Sequence, residues 1–154
     1  MDPVAATPTE HRHYASAMGG YAVLAGSVAL LASRRREDPA PGSPGELALY
    51  GVATAGLARL VSQEKVTEWL RAPFVDESDR RPRGEGSQYL VGELLTCTRC
   101  LGSWGALVLV GARAVAPRQA RVGASLLALT YLNDLLQAQL TEVQEEANAA
   151  AAAT

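Results

Sequence analysis

Apolar and polar positions are sharply segregated along this chain. From Tyr14 to Ser33, YASAMGGYAVLAGSVALLAS, twenty residues pass without a charge. As a helix they span about 30 Å, the hydrocarbon thickness of a bilayer. Three shorter apolar windows follow. Leu47 to Ala58 ends at Arg59, Cys100 to Ala112 lies between Arg99 and Arg113, and Val122 to Leu132 ends at Asn133 and Asp134. Windows of this length also suit buried soluble helices. These, however, are apolar around their whole circumference and lack the polar face of a soluble bundle helix. Arg59, Arg99 and Arg113 lengthen them by reaching for headgroups along their own stems. The pattern predicts four membrane spans, at about 14–33, 45–62, 96–115 and 122–140. A secretory signal is the alternative for the first. Arg34, Arg35 and Arg36 follow it at once, which is a stop-transfer flank more than a cleavage site.

The connections carry their own signals. Residues 1–13 read as a loose leader with Pro3 and Pro8. RRREDPAPGSPG, from Arg34 to Gly45, is a loop by its proline and glycine content. In QEKVTEWLRAPF, Val66, Trp69 and Leu70 share one helical face, with Glu64, Lys65, Glu68 and Arg71 opposite. This predicts a short amphipathic helix over 63–72 lying in the membrane interface, anchored by Trp69. VDESDRRPRGEGSQ, residues 75–88, reads as an exposed, mobile loop. The alanine-rich acidic tail, 141–154, extends the fourth helix and then frays. Helix contacts in lipid rely on small residues. Ala15/Gly19, Ala22/Gly26, Ala25/Ala29, Gly51/Ala55 and Gly102/Ala106 have the spacing for them. The fold class expected is all-α: an integral membrane four-helix bundle with an interfacial helix between spans two and three.

Composition adds exclusions. A chain of 154 residues with 48% hydrophobic and 19% charged residues is one domain and not a disordered segment. A net charge of −2 gives no basic field for nucleic acid. Two cysteines exclude a disulfide-rich scaffold. Arg12, Lys65, Arg71, Arg80, Arg81, Arg83 and Arg99 would share one side of the bilayer, and Arg34, Arg35, Arg36, Arg118 and Arg121 the other. That small excess predicts both termini in the cytoplasm.

Two constellations are candidates for chemistry. Cys97 and Cys100, in CTRC, fall on one face if both are helical. They are candidates for redox or metal chemistry, because a helix start and Arg99 both favour a thiolate. A structural zinc needs four ligands, and His11 and His13 lie far off in the leader. Two reduced cysteines packed near Trp104 are the plainer alternative, since a bridge across i, i+3 of a regular helix is strained. Arg59 and Asp134 stand at similar depth in an up-and-down bundle and are candidates for a buried ion pair, for snorkelling or for an ion path. No phosphate loop, HExxH or nucleophile elbow is present. No catalytic residue, metal or cofactor is assigned.

Leu57–Phe74, LARLVSQEKVTEWLRAPF, and Gly92–Trp104, GELLTCTRCLGSW, resemble a bacterial family of small membrane proteins called domain of unknown function 1360. The family's cysteine segment usually carries proline and an aromatic where this chain has Thr98 and Arg99. The resemblance implies a bacterial cytoplasmic membrane location, with some members labelled sporulation proteins, and implies no substrate. The expected function is a non-enzymatic membrane scaffold or partner-binding subunit. Its partners would be the lipid bilayer and another protein, or a second copy through the small-residue faces. A membrane thiol oxidoreductase using Cys97 and Cys100 and a holin-like pore-former are the alternatives.

Overall fold

The computed structural model describes residues 9–34 and 42–152. Most of the leader, the middle of the first loop and the last two residues of the tail lie outside the described residues. Helix α1 runs His11–Ser33, through the uncharged stretch. Helix α2 runs Pro44–Gln63. Its start is written in SPGE: Ser43 Oγ accepts from Glu46 N at 3.2 Å, Pro44 takes the first turn, and Glu46 reaches back to Gly42 N at 3.1 Å. A 3-10 turn, Lys65–Thr67, leads into the single-turn helix α3, Glu68–Arg71. Strands β1, Val75–Asp76, and β2, Arg81–Pro82, pair antiparallel, with Val75 opposite Pro82. Helices α4, Ser87–Thr96, α5, Thr98–Val115, and α6, Pro117–Ala152, complete the chain. Apart from the small β-ribbon, the described architecture is all-α.

Helix α2 is central and packs on α5 and α6. The core is small-grained: Tyr50 and Leu109 meet Ala53, Ala124 and Ala128. Helix α2 comes close to α6 at Gly56, where a Cβ would stand 2.8 Å from Leu127 O and 3.0 Å from Tyr131 Cβ. Gly105 faces Leu57 and Thr54 across α2 and α5. The small-residue spacings picked out above miss these contacts. At Gly19, Gly26, Gly51 and Gly102 an added methyl group would meet nothing within 4 Å. Large aliphatic residues point outward instead: Val108, Val122, Leu126, Leu129, Leu132 and Leu136 are all exposed. Helix α1 buries no residue completely and touches the rest through a few side chains, among them Val28 against Gly111.

Among the described helices, α1 alone is long and apolar enough to cross a membrane by length and composition. Helices α4 and α5 pass that test only as a pair, and they meet at 89°. The predicted span at 45–62 matches α2 and that at 122–140 lies inside the longer α6; neither helix reaches the same hydropathy. The third predicted span, 96–115, is not one straight rod from its first residue. Its opening residues belong to the bend between α4 and α5. The expected interfacial helix over 63–72 is a 3-10 turn followed by one α-helical turn. The segment 75–88, read as a mobile loop, holds the β-ribbon, whose Val75 is 1% exposed.

Candidate functional site

The bend at Cys97 organises a cleft. Cys97 has φ −93° and ψ 102°, so it is extended and caps α5 instead of lying within a helix. This corrects the picture of two cysteines on one helical face. Cys97 Sγ accepts from the Cys100 backbone N–H at 3.3 Å, the bond that a Ser or Asp makes at an ordinary helix start. Its own N–H donates to Glu93 O at 3.0 Å, closing α4. Cys100 is exposed and Cys97 partly so, and both are free thiols. A regular helix would strain a bridge between them, but the break at Cys97 removes that objection.

Both thiols line a cleft of about 730 Å³ between α1, α4 and α5. Its far wall comes from α1, through Tyr14, Ala17, Met18 and Tyr21. Tyr21 meets Trp104 edge to face, ring centroids 5.2 Å apart and planes at 82°. Such pairs contribute on the order of 1 kcal/mol beyond their buried area. The Tyr14 hydroxyl donates to Glu93 Oε2 in a short hydrogen bond. Thr9 Oγ1 donates to Gly86 O at 3.1 Å, and His13 lies against Gly86. The start of α1 is therefore tied to the start of α4, on the same side of the bundle as the cysteines.

A second polar cluster closes the end of α2. The last carbonyls of a helix have no partner within it. Here Arg71, only 2% exposed, supplies one. Its Nη1 donates to Val61 O at 2.7 Å, Glu64 O at 3.1 Å and Thr67 Oγ1 at 2.8 Å. Its Nε and Nη2 grip the two Glu77 oxygens at 3.0 and 3.3 Å. Thr67 Oγ1 also sits 2.6 Å from Leu60 O, and Arg80 donates to Ser62 O in a short bond. Sequence reasoning put Arg71 on the solvated face opposite Trp69. The structure turns it inward, because unpaired carbonyls and the Glu77 carboxylate offer more than water does. Trp69, the expected interfacial anchor, is 74% exposed, and Val66 beside it is exposed as well.

The hairpin turn adds a local electrostatic feature. Ser78 Oγ and N donate to Asp76 Oδ1 at 2.7 and 3.1 Å, with Arg83 at 3.4 Å. These contacts, the Ser78 bonds foremost, hold the Asp76 carboxyl below its ordinary range. This contribution to stability is complete above the ordinary carboxylate range and is lost as pH falls below it.

The predicted pair of Arg59 and Asp134 is not formed. Arg59 lies 3.7 Å from Glu64, on its own side of the bundle, and Asp134 joins no ion pair among the described residues. Among the described residues the interhelical pair that does form is Glu46 with Arg113, bonded at 2.8 and 3.1 Å and largely sheltered from solvent. The same guanidinium lies 5.6 Å above the Tyr50 ring centre. Sequence reasoning treated Arg113 as a snorkelling end group. The signal it missed is that the capping acid of α2 faces the last turn of α5. Glu46→Gln is expected to lower the unfolding temperature, because Arg113 keeps its charge beside a weaker acceptor. Replacing the pair together, Glu46→Leu with Arg113→Met, is expected to recover part of the loss, since no unpaired charge is then left in the sheltered site. Thermal unfolding in detergent, followed by circular dichroism, checks both.

Among the described residues, no group of three or more His, Cys, Asp or Glu side chains is placed to hold a metal ion. His11 and His13 do not join the cysteines.

No solved structure matches this chain. The sporulation protein YjcA of Bacillus subtilis (strain 168) is 28% identical over 111 residues, covering 65% of this chain and 94% of that protein. The family model described as "Protein of unknown function (DUF1360)" matches residues 49–140. That stretch runs from within α2 to about two-thirds of the way along α6 and takes in the Arg71 cluster and both cysteines. With more than half of its length matched, the chain belongs to the DUF1360 family.

Proposed function

We propose that this protein is a multi-pass scaffold of the bacterial cytoplasmic membrane, with α1, α2, α5 and α6 as its spans. The carrying observation is the size segregation of the helices. Alanine and glycine fill the contacts between α2, α5 and α6, while leucine and valine line the outside. In water this arrangement leaves an apolar surface larger than soluble monomers carry. In lipid it is how helices pack, since leucine gains nothing by leaving hydrocarbon and small residues let backbones approach.

Charges at the helix ends support the same reading. Glu46 and Arg59 bracket α2, and Arg99 and Arg113 bracket α5. Fourteen or fifteen helical residues rise about 20 Å. That is less than the usual 30 Å hydrocarbon thickness, so local thinning and snorkelling make up the difference. This shortness lowers the mean hydropathy of α2 and α5 over the length of a full span. The exposed Val66 and Trp69 beside the end of α2 suit the headgroup boundary. Partners would be a second copy or another membrane protein, seated on helix faces such as that of Gly19 and Gly26, which no described residue covers.

The test is extraction of the full chain from bacterial membranes. The protein is expected to stay with the bilayer through an alkaline carbonate wash. Its recovery as a folded soluble monomer would overturn the reading. Reconstituted into liposomes, it is expected to retain an entrapped dye; leakage would favour a pore over a scaffold.

A further inference from the structure

We infer that Cys97 and Cys100 form a redox-active dithiol, with Cys97 the attacking and Cys100 the resolving thiol, serving disulfide substrates that enter the cleft beneath α1. Three independent features carry this. The first is the break at Cys97. An extended residue at the helix cap, followed by a cysteine in the first turn, frees the pair from the geometry that strains a bridge inside a regular helix.

The second is the cap bond itself. The acceptor for the Cys100 N–H is the Cys97 sulfur. A neutral thiol is a weak acceptor, whereas a thiolate is a strong one. The cap thus discriminates between the two forms of Cys97, and the free N–H groups of the α5 start and the Arg99 charge act in the same direction. Cys100 occupies the donor side of that bond. The two sulfurs are therefore chemically unequal, as an attacking and a resolving thiol must be.

The third is access. Both cysteines stand on the wall of a cleft of about 730 Å³, facing Met18, Tyr21 and Trp104, and Cys100 is exposed. Cysteines held only for packing would be enclosed.

The step balances with a dithiol and a disulfide. The Cys97 thiolate attacks one sulfur of the substrate disulfide, and that bond breaks as a mixed disulfide forms. The departing sulfur takes up a proton. Cys100, deprotonated, attacks Cys97 Sγ and expels the second substrate sulfur, which is protonated in turn. The substrate is reduced by two electrons to two thiols, and Cys97–Cys100 is left as a disulfide. An external dithiol restores the reduced pair by the reverse exchange.

The test uses the full chain in lipid nanodiscs, equilibrated with mixtures of reduced and oxidised glutathione and then alkylated. Both thiols are expected to disappear together in one two-electron transition, with mass spectrometry locating a bridge between Cys97 and Cys100. Two thiols that remain alkylatable in oxidised glutathione would overturn the proposal. Single-cysteine variants assign the roles. In Cys100→Ser, Cys97 is expected to form a mixed disulfide with oxidised glutathione at least tenfold faster than Cys100 does in Cys97→Ser. Serine is a good helix cap, so Cys97→Ser keeps α5 intact. Equal or reversed rates would overturn the assignment of Cys97 as the attacking thiol.

Discussion

Arg71→Ala is expected to be the most damaging single substitution, costing on the order of 3–5 kcal/mol of stability. Two losses combine. The carboxylate of Glu77 loses a bidentate partner in a largely enclosed site. The carbonyls of Val61 and Glu64, at the end of α2, lose their donor. Arg71→Lys keeps the charge and one point of contact but not the flat fork that serves Glu77 and the helix end together, so it should fall between alanine and the parent. Glu77→Gln, which leaves the helix cap in place, should cost less than Arg71→Ala. Unfolding in mixed micelles, monitored by circular dichroism, ranks the three. An alanine variant as stable as the parent would mean that water caps α2 equally well.

The second large effect is expected at Gly92, in the middle of α4. A Cβ there would collide with Phe74 O and stand 2.8 Å from Pro82 Cβ and 3.0 Å from Pro82 Cα. These are backbone and ring atoms on the flanks of the β-ribbon, and they cannot turn away as a long side chain can. Gly92→Ala must therefore push α4 off the ribbon, at a cost of about 1–3 kcal/mol or somewhat more. Gly102→Ala is the control. It lies in α5 with nothing within 4 Å, so the methyl group meets no obstacle. Alanine there should be neutral or stabilise by up to about 1 kcal/mol through helix propensity alone. The same substitution in two helices is thus expected to have opposite signs, and a comparison of unfolding midpoints reads the difference directly.

Helix positions were legible because charges and prolines punctuate the apolar runs. Arg34 ends α1, Pro44 starts α2 and Pro117 starts α6, each close to where the pattern of hydrophobic residues placed it. The bend at Cys97 carries no such mark. Neither proline nor glycine stands there, and the helical periodicity that resumes at Tyr89 feeds directly into the span expected from residue 96. The inward turn of Arg71 was equally hidden. Periodicity assigns a charged residue to the solvated face, yet whether it stays there depends on what the end of a neighbouring helix leaves unpaired. That is a tertiary fact. Val75 was lost among charges for the same reason: a single apolar residue has no periodicity, and only the fold shows the space it fills. The pairing of Arg59 with Glu64 instead of Asp134 shows a further limit. Similar depth along two helices does not fix which way their side chains face.

Helix α2 is held at three levels. Glu46 is locked to Arg113 near its start, Gly56 rests against α6 at its middle, and Arg71 and Arg80 grip its last carbonyls. Alanine-lined surfaces are smooth, and by themselves they let one helix slide or roll along another at little cost. A slip of one residue moves a helix by about 1.5 Å and turns it by about 100°. At α2 such a slip would swing Glu46 away from Arg113, lift Gly56 off Leu127 and bring a bulkier side chain in its place, and offset the carbonyls from Arg71. The small residues let the helices come close, and the arginines at the two ends decide which of the many close arrangements the chain adopts.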